Sequence, residues 1–193
     1  MKIRFLAVAL ACLLGCSLPA QASSLPAQAP SSNVKSIGRD VAIALPIIAG
    51  GITAWRNDWT GIAQLAVTGI TTVGTVYALK HFVHECRPFA MPCHGHSNLD
   101  SFPSGTSAVA FVPAQYLWQR YGWKYGLPAY AAAAFVGYSR VDSKEHHWWD
   151  VVASAAISLG YNEIFTTRYQ PRGFSTGLSA GPGGAYMSLN YRW

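Results

Sequence analysis

Charge is what this chain has least of. Only 11% of its 193 residues are Asp, Glu, Lys or Arg, against about 25% in an average soluble domain. Apolar residues reach 51%, so much of the surface must be buried against itself or against lipid. Acids are the scarcer sign, 8 against 14 Lys and Arg, for a net charge of +6. Basic runs are missing as well. The cations are scattered singly, which argues against a nucleic-acid partner despite the positive balance. No internal repeat exists, which excludes solenoids and arrays. Long apolar runs are nearly absent: only residues 61–79 approach the roughly 20 needed to span a bilayer. The length suits one domain with a core of its own.

The first 22 residues read as a cleaved signal peptide. Lys2 and Arg4 form its positive start, residues 5–14 its apolar stretch, and Ala20-Gln21-Ala22 its small-residue cleavage site. Cleavage removes two cations and no acid, which lowers the net charge to +4. Leu13-Leu14-Gly15-Cys16 offers a second reading, a lipoprotein signal that would place a lipid on Cys16. On either reading the chain is exported. After cleavage at Ala22 the remaining cysteines are Cys86 and Cys93, and an oxidising compartment favours a disulfide between them. The alternatives are two free thiols, or a zinc site drawn from His84, Cys86, Cys93, His94 and His96, whose spacing matches no common zinc pattern.

Residues 23–36, rich in Ser, Pro and Ala, read as a flexible leader. Residues 37–170 then divide into five helical segments, 37–55, 60–84, 104–120, 125–138 and 147–167, separated by breakers and polar clusters. The expected fold is an all-α bundle of about five helices. Residues 171–193 differ. Apolar residues alternate with small or polar ones on both sides of Gly181-Pro182-Gly183-Gly184, which predicts a β-hairpin.

Polar residues of chemical interest fall into three clusters. Lys80 precedes Arg87-Pro88, and Phe102-Pro103-Ser104-Gly105-Thr106 leads into a helix. Ser139-Arg140 is followed by His146 and then Asp150. A helix carrying Lys80 and Arg87 two turns apart, stopped by Pro88, would aim both cations at one point. Arg87 would grip phosphate oxygens as a planar fork and Lys80 would act as a point charge; two snorkelling membrane-end cations are the alternative. Ser104 and Gly105 sit where free N–H groups at a helix start can hold an anion, although Ser104 also fits a plain N-cap. Four residues apart on a helix, His146 and Asp150 would face each other. A carboxylate on Nδ1 leaves Nε2 free to attack phosphorus, and Arg140 would neutralise the transition state.

The membrane question stays two-sided at this stage. The first two clusters share one connection and two helices separate them from the third, so two crossings would return all three to one side. The other connections carry Arg56, then Arg120 and Lys124, then Arg168 and Arg172, the positive-inside pattern with the site facing outward. Embedding in a bacterial inner membrane with the site facing the periplasm is the preferred reading. A soluble periplasmic bundle is the other.

In order and spacing the three clusters resemble the type-2 phosphatidic acid phosphatase family, which includes the vanadium haloperoxidases. The family pattern is Lys-x6-Arg-Pro, Pro-Ser-Gly-His, and Ser-Arg-x5-His-x3-Asp; this chain shows Lys80 to Pro88, Pro103-Ser104-Gly105, and Ser139 to Asp150. The resemblance implies removal of phosphate from a phosphorylated lipid through a phosphohistidine on His146, with no metal and no cofactor. It implies that Asp150 orients that histidine and that Lys80, Arg87, Ser104, Gly105 and Arg140 hold the phosphate. One position departs: Thr106 stands where the family has its second histidine, the general acid for the leaving alcohol. A lost acid costs about 10²–10⁴ in rate. Three outcomes follow: a diphosphate substrate whose leaving group needs little protonation, a substitute acid among His84, His94, His96 and His147, or a lipid-phosphate-binding pseudoenzyme.

Overall fold

Asp58 and Ser104 open two of the helices by accepting backbone N–H groups, Asp58 from Gly61 at 2.9 Å and Ser104 from Ser107 at 3.4 Å. In the computed structural model, which describes residues 32–93, 98–170, 173–181 and 184–192, the helices are α1 (Ser32–Trp55), α2 (Trp59–Phe82), α3 (Gly105–Tyr121), α4 (Trp123–Asp142) and α5 (Trp148–Phe165). A single 3-10 turn, Pro88–Ala90, interrupts the long connection after α2. Strands β1 (Gly173–Gly181) and β2 (Gly184–Arg192) pair antiparallel, with Phe174 opposite Tyr191 and Leu178 opposite Met187. The five helices and the hairpin are those the sequence predicts. The signal peptide, residues 23–31 of the leader, His94 and His96 lie outside the described residues.

Several boundaries differ from expectation, α4 for one running Trp123–Asp142 where the sequence predicts residues 125–138, and three of the differences bear on the site. First, α1 starts at Ser32, so residues 32–36 are helix rather than leader. Contacts to Arg140 and Glu145 anchor Lys35 there. With that extension α1 joins α2 as long and apolar enough to span a bilayer, so residues 61–79 are not alone in approaching that length. Second, α2 stops at Phe82, where Val83 turns extended, so Arg87 is not on the helix with Lys80. The chain leaves to pair Glu85 with Asp100 in an isolated bridge and to close the Cys86–Cys93 disulfide, Cα–Cα 6.0 Å. The disulfide is the expected one, and it removes both sulfurs from the zinc alternative. Third, α5 begins at Trp148, so His146 precedes the helix. The Asp150 carboxylate accepts the His147 N–H at 2.9 Å, which fixes the helix start at that point.

Helix α3 is the centre and packs on all four others. Its Ala108, Ala110 and Ala114 are completely buried, and small side chains let neighbouring backbones approach. Ala42, Leu45 and Ala49 of α1 and Ala129, Ala133 and Val136 of α4 complete the core. At Gly126 a Cβ would lie 2.5 Å from the Trp118 Cα, so the α3–α4 approach needs glycine there. Against α5 the contact is polar. Ser154, Ser158 and Asn162 are buried at four-residue spacing and donate to the carbonyls of Ser104 (2.7 Å), Ala108 (3.4 Å) and Val112 (3.2 Å) of the α3 side.

At the end of the bundle remote from the three clusters, Arg120 donates from Nε to Asp58 Oδ2 and from Nη2 to Asp58 Oδ1, both at 2.5 Å. Tyr121 donates to the same carboxylate at 2.8 Å. Arg56 lies over the rings of Tyr121, Tyr125 and Tyr169. The outward faces of α1 and α2 are apolar instead, with Ile43, Ile47, Ile48, Ile70, Val73 and Tyr77 all exposed. Only 28% and 17% of their most apolar stretches are buried, at a mean hydropathy of 1.5 each. The hairpin packs on none of the described helices.

Candidate active site

The head of α3 meets the head of α5. The Ser104 N–H donates to the Asp150 carbonyl at 3.2 Å, and Ser104 is fully buried. Ser104 serves as the N-cap and therefore also fills the plainer of its two expected roles. The next two N–H groups, of Gly105 and Thr106, have no acceptor among the described residues, as expected of a helix start. A Cβ at Gly105 would meet nothing within 4 Å. The space in front of those donors is therefore open, and the geometry suits an anion.

Beside this cradle, His146 Nδ1 lies 3.4 Å from Asp150 Oδ2. Both side chains are buried, and Nδ1 makes no aligned hydrogen bond. Catalytic contacts of this kind are commonly long without substrate. Asp150 Oδ2 accepts Ser101 Oγ at 2.5 Å and the His147 N–H at 2.9 Å, while Oδ1 is buried without a partner. Burial alone would raise the Asp150 carboxyl, but the donors from His146, Ser101 and His147 outweigh it and bring it down to about 2. Asp150 is therefore a carboxylate at neutral pH, as an orienting partner for an imidazolium must be. The helical His146–Asp150 pairing expected from the spacing does not exist. The same pairing arises because Asp150 sits in the first turn of α5 and the chain folds back over it.

Lys80 and Arg87 reach a common partner by different routes. Lys80 donates to the Asp100 carbonyl at 2.5 Å and the Ser101 carbonyl at 3.4 Å. Arg87 forks onto the Asp100 carboxylate at 2.9 and 2.8 Å. Its third nitrogen, Nη1, donates to Glu145 Oε2 at 2.6 Å. Arg87 thus holds two carboxylates, and Glu145 immediately precedes His146. Hydrogen bonds from Arg87 hold the Asp100 carboxyl below its usual range. Burial opposes the same effect at Glu145, but Lys35 and Arg87 prevail and keep it low.

Arg140 is buried at the end of α4. Its Nε donates to Ser139 Oγ at 3.2 Å and its Nη2 to the Lys35 carbonyl, which leaves Nη1 without a protein partner among the described residues. The His146 N–H donates to the Arg140 carbonyl at 3.3 Å. Six of the seven residues singled out in the sequence therefore lie in one network linked through Asp100, Ser101 and Glu145, and Gly105 is the chain neighbour of its Ser104. Sequence reasoning missed Asp100, Ser101, Glu145 and Lys35. Glu145 alone carried a signal, as the acid immediately before the proposed nucleophile.

Thr106 is half-buried and brings no titratable group to the cradle. Of the substitute histidines, His84 is exposed and lines a cavity of about 360 Å³ with Tyr77, His81 and Asn98, and with Lys80 and Asp100 of the site. His147 stacks on Trp149 with ring centroids 4.4 Å apart. Its Nδ1 lies 3.6 Å from Asp150 Oδ2 and 3.5 Å from Glu85 Oε1. Burial pushes the Glu85 carboxyl up, the Trp149 N–H pulls against it, and the Asp150 charge adds to the rise. Glu85, His147 and Asp150 place one ligand-type atom each within 4.8 Å of one another. They form a grouping fit for a cation, but Asp150 Oδ2 is already taken by two donors.

Comparison with known proteins agrees with this geometry. Residues 61–172 match the PAP2 superfamily. The chain is 34% identical over 140 residues to a lipid A 4'-phosphatase of Helicobacter pylori (strain J99), covering 69% of this chain and 70% of that protein. The fold is similar to that in the crystal structure of Aquifex aeolicus LpxE, with a TM-score of 0.56 at 22% identity, covering 69% of this chain and 85% of that one.

Proposed function

Because the chain belongs to the PAP2 superfamily and is a phosphatase of that type, we propose that it is exported and removes phosphate from a membrane lipid through a phosphohistidine on His146. The observation that carries the reading is the convergence at one place of the His146–Asp150 pair, three cations and the open N–H cradle of Gly105 and Thr106. Nε2 of His146 forms a bond to phosphorus as the bond to the leaving oxygen breaks. Water then attacks phosphorus and releases inorganic phosphate and the free ring. Asp150 stabilises the charged imidazole in both steps. Lys80, Arg87, Arg140 and the two N–H groups carry the charge on the equatorial oxygens. No metal or cofactor enters the scheme.

The relative's activity supports a phosphorylated glycolipid as the substrate class, and the two exposed apolar helices support action at a membrane. Arg56, Arg120 and Arg168 gather at the end remote from the site, where the Tyr169 N–H bonds the Arg120 carbonyl at 2.9 Å. Cations at that end support a cytoplasmic location for it and a periplasmic one for the pocket.

Purified protein assayed against lipid A, phosphatidate, polyprenyl diphosphate and a soluble nitrophenyl ester tests the substrate class. Release from lipid phosphates is the expected result, and phosphate release from none of them would leave a binding protein. Thr106→His should speed hydrolysis of alkyl monoesters by at least about tenfold, since a positioned acid contributes 10²–10⁴. It should change little for the nitrophenyl ester, whose leaving group needs no proton. Equal effects on both would show that position 106 is not where the acid is missing.

A further inference from the structure

Lys35 lies near the start of α1, outside the residues matched by the family, in a stretch whose composition reads as leader. Yet its side chain reaches the site. Lys35 Nζ ion-pairs with Glu145 Oε1, and the other oxygen of the same carboxylate takes Arg87 Nη1 at 2.6 Å. One carboxylate therefore spans two cations from opposite walls of the site, as two oxygens of a phosphate would. The backbone beneath Lys35 is fixed as well. Its carbonyl accepts Arg140 Nη2, and a Cβ at Gly38 would fall 1.9 Å from Ser139 Oγ and 3.1 Å from Arg140 Nη2. Helix α1 thus rests directly on the arginine of the third cluster.

Each of the three nitrogens of Arg87 already donates to a carboxylate, two to Asp100 and one to Glu145, so a phosphate that is to take a forked grip on Arg87 competes with one of them. Displacing Asp100 would break two aligned bonds from Arg87. Displacing Glu145 breaks one bond from Arg87 and one from Lys35, and it frees both cations in the same movement. The Lys35 side chain is 42% exposed, so its ammonium can follow the ligand. We propose that Lys35 is a further phosphate-binding residue, and that Glu145 occupies its place and that of one Arg87 donor when no phosphate is bound. The proposal rests on the phosphate-pocket reading given above. It adds a cation supplied by the N-terminal helix, and a carboxylate that must move for substrate to bind.

Competitive inhibition by inorganic phosphate, measured on the purified full-length protein with lipid phosphate as substrate, separates the two readings. Lys35→Met should raise the phosphate Ki and the KM about tenfold and alter kcat much less. Lys35→Arg should restore most of the loss, and Lys35→Gln should not. Glu145→Gln should lower the phosphate Ki. Arg87→Met is the control for the pocket. If Arg87→Met raises Ki while Lys35→Met and Lys35→Gln leave it unchanged, Lys35 is no ligand. A rise in Ki with Glu145→Gln makes Glu145 a clamp that positions Arg87, and overturns the displacement. If Arg87→Met has no effect either, the pocket reading itself has failed.

Discussion

His146→Ala is expected to lower phosphate release from every substrate by about 10⁴-fold or more, because removing a covalent nucleophile abolishes the pathway rather than weakening it. Among the described residues, the neighbouring His147 is poorly placed to take over. His147 turns its Nδ1 toward Glu85 and Asp150, and its ring is held flat on Trp149. Asp150→Asn should be milder, about 10²–10⁴, since the amide keeps the shape but cannot stabilise a charged imidazole. Rapid acid-free quenching with labelled substrate should trap a phosphorylated protein in the wild type and none in His146→Ala. Full turnover by His146→Ala would assign the chemistry to another residue, and a mild loss with a trapped adduct elsewhere would identify which.

The second large effect belongs to stability and arises at the other end of the bundle. Arg120→Leu should destabilise the fold by about 3–5 kcal/mol, because it leaves the Asp58 carboxylate buried without its bidentate partner. Asp58 is 6% exposed and Arg120 5%. Asp58 also caps α2 through the Gly61 N–H and accepts Tyr121 Oη, so these contacts are strained at the same time. Thermal unfolding in detergent should show a marked fall in Tm with unchanged catalytic constants below the transition. Replacing both residues, as Asp58→Leu with Arg120→Leu, should recover part of the loss, since an apolar pair leaves no unpaired charge. If Arg120→Leu melts as the wild type does, the pair contributes nothing net.

The site was legible where spacing alone specifies chemistry. The fold brings the Lys80 to Pro88, Ser104-Gly105 and Arg140 to Asp150 clusters to one end of the bundle, although two of the helical arguments for them fail. Arg87 is off its helix because the Glu85–Asp100 bridge and the disulfide draw the chain away, and His146 is off its helix because Asp150 caps it. Helical periodicity records neither a strand bridge, nor a disulfide, nor a local N-cap. The same limit hid the carboxylates. Asp100 and Glu145 read as ordinary loop acids until the fold places them 13 and 58 residues from their common arginine. The five helices were readable because breakers and polar clusters bound them. The start of α1 was not, because its first turn is held by Arg140 and Glu145 rather than by its own propensity.

The line of Ser154, Ser158 and Asn162 has a consequence for how this enzyme can be handled. These side chains reach carbonyls along Ser104, Ala108 and Val112 at matching intervals of four. Sliding α5 against α3 by half a turn would unmake every rung together. Such a join draws little on the expulsion of water from apolar surface, and so it does not depend on whether lipid, detergent or buffer surrounds the bundle. The rung nearest the site ties Ser104 to the helix that carries Asp150, so the spacing between the head of α3 and Asp150 is set by that ladder. Solubilisation that strips the outer faces of α1 and α2 should therefore leave the reacting groups in register.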